Sequence, residues 1–341
     1  MRVLIAPDGF GGTLTAPQAA AAIAAGWAAG APDSTPITRP LSDGGPGFVD
    51  VLHAALGGRL HRVEVRGPLG TPVTATWLAH ERTAYLESAQ ACGLHLVAAR
   101  DPLAAHTEGV GELVADAVAH GLRTVVLGLG GSATSDGGAG FLRTAGDLAG
   151  VELVAASDVD NPLLGEHGAA RTFGPQKGAD ADQVAALELR LADWADELAA
   201  RTGRDVRDRP GAGAAGGLGA ALLALGARRV SGAGLVRALT GFDAAVADAE
   251  LVVTGEGSFD RQSLRGKLVT MVAGAAAERG VPCLVLAGQV ADHSALRAAS
   301  VGVDEIHSVS GHAGSVEAAL ADPAGTLTAL AAQVATGWRG R

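Results

Sequence analysis

A chain of 341 residues, 48% hydrophobic and 18% charged, can build two domains of ordinary size around full apolar cores. Its formal net charge of −10 argues against a nucleic-acid partner, which would want a basic face. No apolar run reaches the roughly 20 residues that span a bilayer, and the opening MRVLIAPDG reads as a strand and not a signal peptide. Cys92 and Cys283 lie far apart with no metal-site spacing, so a reduced, cytoplasmic setting with no membrane partner is expected.

In chain order, residues 3–7 read as a buried strand. Residues 16–30 follow as a helix, with Thr15 as N-cap and Pro17 in its first turn. Residues 49–56 are a second helical stretch. The alternating segments 61–67, 72–79 and 83–88 suggest an antiparallel meander. Beyond them come a helix over 111–121, a buried strand over 124–131 and helices over 137–149, 181–201 and 216–226. The chain then alternates again: a strand at 249–257, a helix to about 279 and strands at 282–288 and 303–309. Strands alternating with helices imply α/β units and mostly parallel sheet. The meander interrupts that rhythm, as an inserted domain would. The expected organisation is a discontinuous Rossmann-like α/β domain from 1–58 plus 241–341, and an inserted, mixed α/β domain over 59–240.

One heptad appears twice, as SDGGPGF from Ser42 and SDGGAGF from Ser135. Each copy opens a predicted helix, so Asp43 and Asp136 are placed as N-caps. The glycines bare the first N–H groups and the positive end of the helix dipole, where an anion binds well. A single Asp-Gly-Gly needs no ligand, because it is already a good cap and a tight turn. Two copies with matching flanks shift the weight toward ligand binding. The second copy follows a strand directly, through Gly130, Gly131, Ser132 and Thr134, which is the layout of a phosphate cradle. It is neither a P-loop nor a dinucleotide fingerprint.

Other loops are dense in unusual side chains. They hold Asp158, Asp160 and the lone asparagine Asn161, then Gln176 and Lys177, then a glycine run at 211–221, and finally Glu256, Asp260 and Lys267. Lys177 and Lys267 are the only lysines among 26 basic residues. A compact ammonium survives such a bias where the wide fork of arginine does not fit. On that argument, arginine at 177 costs turnover and leaves stability alone. Glycine loops, acidic residues and selected lysines together suggest phosphoryl transfer, which is mostly positioning and charge neutralisation. A small-molecule kinase must hold two anions, and two helix N-termini could do so.

APDGFGGTLTAPQAA, PLSDGGPGF, GLGGSATSDGGAGFL, DVDNPLLG, FGPQKGA, GAGAAGGLGAAL and VVTGEGSFDRQSLRGK resemble, in order, the signature segments of the bacterial type I glycerate kinases. The resemblance covers nearly the whole chain. It implies phosphorylation of D-glycerate by ATP with Mg²⁺, typically to 2-phosphoglycerate, on two α/β domains. With the loop reading, it puts catalysis on Asp43, Asp136, Lys177 and Asp260, with Asp43 near the acceptor hydroxyl. ATP is expected on Gly130, Gly131, Ser132, Thr134, Gly137, Gly216, Gly217 and Lys267. Glycerate is expected on Asp8, Gly44, Gly45, Asn161, Gln176 and Glu256, and Mg²⁺ on Asp136 and Asp160. Many members read P-D-S-F-K-G-S near the start and carry Glu after the first Gly pair. Here Gly9, Gly11 and Pro46 stand at those places, which means either a compensated loss of charge or an altered acceptor. The alternatives are a kinase for another small hydroxy acid and a nucleotide-binding regulator without catalysis. A homodimer is left open.

Overall fold

The computed structural model describes residues 1–260, 268–291 and 302–338. The chain divides into two compact units, one formed by Met1–Ser42 with Val236–Arg341 and the other by Asp43–Leu235. Among the described residues, no helix is long and apolar enough to cross a membrane.

The first unit is built on a five-stranded, wholly parallel sheet. Its strands are β1 (Arg2–Ile5), β2 (Thr35–Thr38), β9 (Leu251–Phe259), β10 (Cys283–Val290) and β11 (Glu305–Ser308), in the order β11-β10-β9-β1-β2. The runs VLI, LVVT and CLVLA are buried, as strands covered on both faces must be. Helices Ala16–Gly30 and Pro323–Gly337 pack closely on each other. A Cβ on Gly26 would fall 2.2 Å from the Thr328 carbonyl oxygen, so only glycine permits this approach. The helix at 16 starts with a full capping box: Thr15 Oγ1 accepts from Gln18 N, and Gln18 Oε1 accepts from Thr15 N.

The second unit carries a six-stranded mixed sheet, β3 (Arg59–Arg66), β4 (Pro72–His80), β5 (Thr83–Glu87), β6 (Thr124–Gly128), β7 (Glu152–Ala156) and β8 (Arg228–Val230), in that order. The meander β3-β4-β5 is antiparallel, and β5 to β8 run parallel. Its main core gathers Trp77, Leu86, Leu127 and Phe141 with the buried face of helix Glu108–Ala119. A second cluster forms where Leu187, Leu191 and Leu198 of helix Ala181–Thr202 meet Leu163 and Ala220. The helix expected over 137–149 spans only Ala139–Thr144. Its two leading glycines have positive φ, and Gly146 has φ +70°, so neither end continues as helix.

Candidate active site

In the second unit, loops converge at the carboxyl ends of β5, β6 and β7, where α/β sheets hold ligands. The first heptad loop lies directly on the loop after β6. A Cβ on Gly130 would fall 2.6 Å from Gly45 Cα, and one on Gly44 would fall 2.9 Å from the Ala156 carbonyl oxygen. The Pro46 ring sits against Gly131. Glycine is therefore demanded here by backbone lying on backbone. Asp43 is exposed, and its Oδ1 accepts from Gly45 N at 2.9 Å in a local turn.

Helix Phe48–Leu56 has no side-chain cap of its own. Glu87, only 2% exposed at the end of β5, takes that place: its Oε2 accepts from Gly47 N at 2.9 Å. Burial pushes the Glu87 carboxyl up to about 8, against the opposing pull of the backbone N–H groups it faces. The sequence reading did not single out Glu87. The available signal was an acid closing the apolar run TAYL.

The second copy of the heptad is built differently. Asp136 Oδ2 accepts from Thr107 N at 2.9 Å, Thr107 Oγ1 at 2.9 Å and Gly140 N at 2.9 Å, and its Oδ1 accepts from Gly138 N at 3.1 Å. Thr107 Oγ1 in turn accepts from Phe141 N. Asp136 thus locks the start of helix Ala139–Thr144, through a threonine that the sequence did not flag. Arg190 donates to the Ser135 carbonyl, Trp194 Nε1 to the Gly137 carbonyl, and Gly137 N to the Gly216 carbonyl. A Cβ on Gly216 (φ +68°) would fall 1.8 Å from the Thr134 carbonyl oxygen, and one on Gly217 would fall 2.7 Å from Gly137 Cα. A Cβ on Gly137 would fall 2.3 Å from the Trp194 ring, so each of these three glycines is required by close packing inside the unit.

Lys177 is 3% exposed. Its Nζ donates to Ser132 Oγ at 3.1 Å and to the Thr134 carbonyl at 2.5 Å. Burial pulls its pKa down to about 8, with Cys92 and Asp136 acting the other way. The ammonium thus holds the loop after β6 from inside the unit, so arginine at 177 perturbs packing as well as any contact with a ligand.

The remaining loop residues of this unit are dispersed. Asp158 takes Ser231 Oγ and Ala233 N. Asp160 is 79% exposed and pairs with Arg229 at 2.5 Å. Asn161 Nδ2 donates to the His167 carbonyl and to Thr172 Oγ1, bracing its own loop. Gln176 is exposed, and its backbone carbonyl accepts from Arg100. The pair expected for Mg²⁺ does not fit it. Both Asp136 oxygens already face N–H and O–H donors, and Asp160 is paired with a guanidinium. Among the described residues, no group of three or more His, Cys, Asp or Glu is placed to hold a metal.

In the first unit, Asp8 follows β1, and its Oδ1 accepts from Gly9 N at 2.7 Å. Glu256 is a buried carboxylate near the end of β9, and Asp260 follows that strand. A cavity of about 410 Å³ opens at these strand ends, bounded by residues 9–14, Glu256–Ser258 and the segment from Val309 to Leu327. A Cβ on Gly11 would meet nothing within 4 Å, and it is the left-handed backbone there, φ +50°, that favours glycine. Lys267 lies outside the described residues.

A family model described as the glycerate kinase family matches residues 3–147 and 144–339. The chain belongs to the glycerate kinase family. A glycerate 2-kinase of Escherichia coli K12 is 37% identical, over 94% of this chain and 93% of its own. An uncharacterised protein of Mycobacterium tuberculosis is 53% identical, over 98% and 91%. The crystal structure of a Salmonella typhimurium LT2 protein, provisionally named glycerate kinase 2, superposes with a TM-score of 0.80. That chain is 35% identical, and the match covers 99% of this chain and 98% of that one. The mixed and parallel sheets are therefore those of a glycerate kinase fold, and the protein is an enzyme of that family.

Proposed function

We propose that the protein transfers the γ-phosphoryl group of Mg-ATP to D-glycerate, giving 2-phosphoglycerate, in the cytoplasm. The observation that carries this reading is the match to glycerate kinases along almost the entire chain. The name of the E. coli relative supports the 2-position. Mg²⁺ enters with the nucleotide phosphates and not through a cage of protein carboxylates, a common mode for this ion.

Asp43 is the residue best suited to the acceptor. Its carboxylate is exposed, and the Gly45 N–H fixes one oxygen and hence the direction of the other. In this reading it takes the proton of the glycerate hydroxyl as the oxygen attacks phosphorus and ADP departs. The loop Gly130–Thr134 lies against the Asp43–Gly47 loop, which supports a place there for the transferring phosphoryl group. Lys177 holds that loop, and Asp136, Arg190 and Trp194 hold the Ser135–Gly140 segment that continues it, a rigidity that transition-state stabilisation by backbone groups requires. Asp136 and Lys177 are then positioning residues. Purified protein should release ADP from Mg-ATP only when D-glycerate is present. No release above background across a panel of small hydroxy acids refutes the reading. Release with a different acid alone moves the substrate, and Gly11 and Pro46 become the first residues to examine.

A further inference from the structure

The cavity of the first unit lies at a particular point of its sheet. Counted along the strands of that unit, the order is two-one-three-four-five, so winding runs one way from β1 to β2 and the other way from β9 onward. The loops after β1 and β9 consequently diverge, and open α/β sheets bind nucleotides in the crevice between two such loops. The cavity opens there, with Gly9–Gly11 on one side and Gly257 and Ser258 on the other.

Its size and its described lining favour something other than glycerate. At about 410 Å³ it falls in the roughly 300–1,000 Å³ range of cofactor and small-molecule pockets, far more than a three-carbon acid fills. Among the described residues, its lining contains no lysine, arginine or histidine, and its one charged side chain is Glu256, an acid. Among the described lining residues, an anion finds no counter-charge. The far wall is apolar, with Val309, Val316, Ala319 and Leu327, while Thr13, Gln289 and Ser310 supply neutral polar groups. A flat, uncharged aromatic ring with a polar edge matches such a lining. At Gly11 a Cβ would meet nothing within 4 Å, so the backbone there is open to a ring face, while Gly257 lies against the Phe10–Gly11 backbone and Gly288 against Gly257.

We propose that this cavity receives the nucleoside part of ATP, with the adenine ring against the apolar wall between Val309 and Leu327. The inference rests on the kinase reading only for the identity of the nucleotide. It can be tested by binding without turnover.

Ser310→Tyr and Ala319→Phe both add bulk to the cavity, the first from a half-exposed position. Calorimetric titration with Mg-ATP, without glycerate, should show Kd raised about tenfold or more in each folded variant. The KM for D-glycerate should change by less than about twofold. Photolabelling of the unaltered protein with 2-azido-ATP should mark peptides within 309–327 or 9–14, which covers the case in which a variant does not fold. Unchanged ATP affinity in folded variants, labels found only elsewhere, or a raised glycerate KM beside normal ATP binding would each overturn the assignment. A protein that binds ATP here and phosphorylates no glycerate would refute the proposed function and leave this site standing.

Discussion

Asp136→Asn separates a positioning role from a reacting one. Asparagine keeps the shape of aspartate and removes its charge. With its carbonyl at the Oδ2 position it still accepts from Thr107 N, Thr107 Oγ1 and Gly140 N. Its amide then points at Gly138 N–H, donor against donor. Hydrogen bonds to an ionised acceptor are worth roughly 1.5–3 kcal/mol, against 0.5–1.5 for neutral ones. Three weakened bonds therefore lose about 1 kcal/mol each, and the orphaned N–H adds a further 1–3 kcal/mol. Water reaching this half-buried group reduces the total, leaving a loss of about 2–4 kcal/mol. For a unit of this size that lowers Tm by about 5–10 °C. Calorimetric melting and urea titration read it directly. Thr107→Val should destabilise through the same contacts, and the double variant should fall short of the sum by about 1 kcal/mol. A Tm within about 1 °C of the parent, with activity gone, would show that Asp136 serves the reaction itself.

Asp43→Asn should leave Tm unchanged, since the exposed side chain keeps its bond to Gly45 N, and should lower kcat by about a hundredfold or more; normal turnover would remove Asp43 from the reaction. Lys177→Arg forces a wider group into a slot that is 3% exposed, so urea unfolding should show a loss of about 1–3 kcal/mol; an unaltered midpoint would mean that the slot is not closed. Glu87 has a folded pKa of about 8, above the ordinary 4.5, so the folded chain keeps a proton that the unfolded chain releases. Its contribution to stability is full below 4.5 and is lost as pH rises through about 8, with a slope of at most ~1.4 kcal/mol per pH unit. Glu87→Gln should flatten that part of the pH profile, and an identical slope in the variant would refute the assignment.

The sequence showed the fold most clearly where periodicity and turn chemistry agreed. The helix at 16–30 appears with the predicted bounds, because Thr15 caps it and its face is continuous. The meander and the buried strands at 124, 251 and 283 follow from alternation and from apolar runs. The strands missed were β2, β7 and β8. β2 is TPIT, an edge strand carrying a proline, and β8 has three residues, two of them arginines. Neither has the length or pattern to stand out. At the site, motifs placed the glycine loops at the ends of parallel strands but could not apportion their labour. Asp43 and Asp136 stand in the same heptad, yet one is exposed with a single local bond and the other has both oxygens occupied. The difference is Thr107, which reaches Asp136 from 29 residues away in sequence. Nor did composition show that the Lys177 ammonium bonds Ser132 Oγ and the Thr134 carbonyl, since those contacts join residues more than 40 apart in sequence.

The central claim rests on one reaction mixture: purified protein, Mg-ATP and D-glycerate, with ADP release followed by a coupled assay and the product identified by phosphorus NMR. The account predicts ADP formation that depends on D-glycerate, with the new phosphate ester on the 2-hydroxyl. ADP formation independent of glycerate, or none at all in protein shown to be folded, would contradict it.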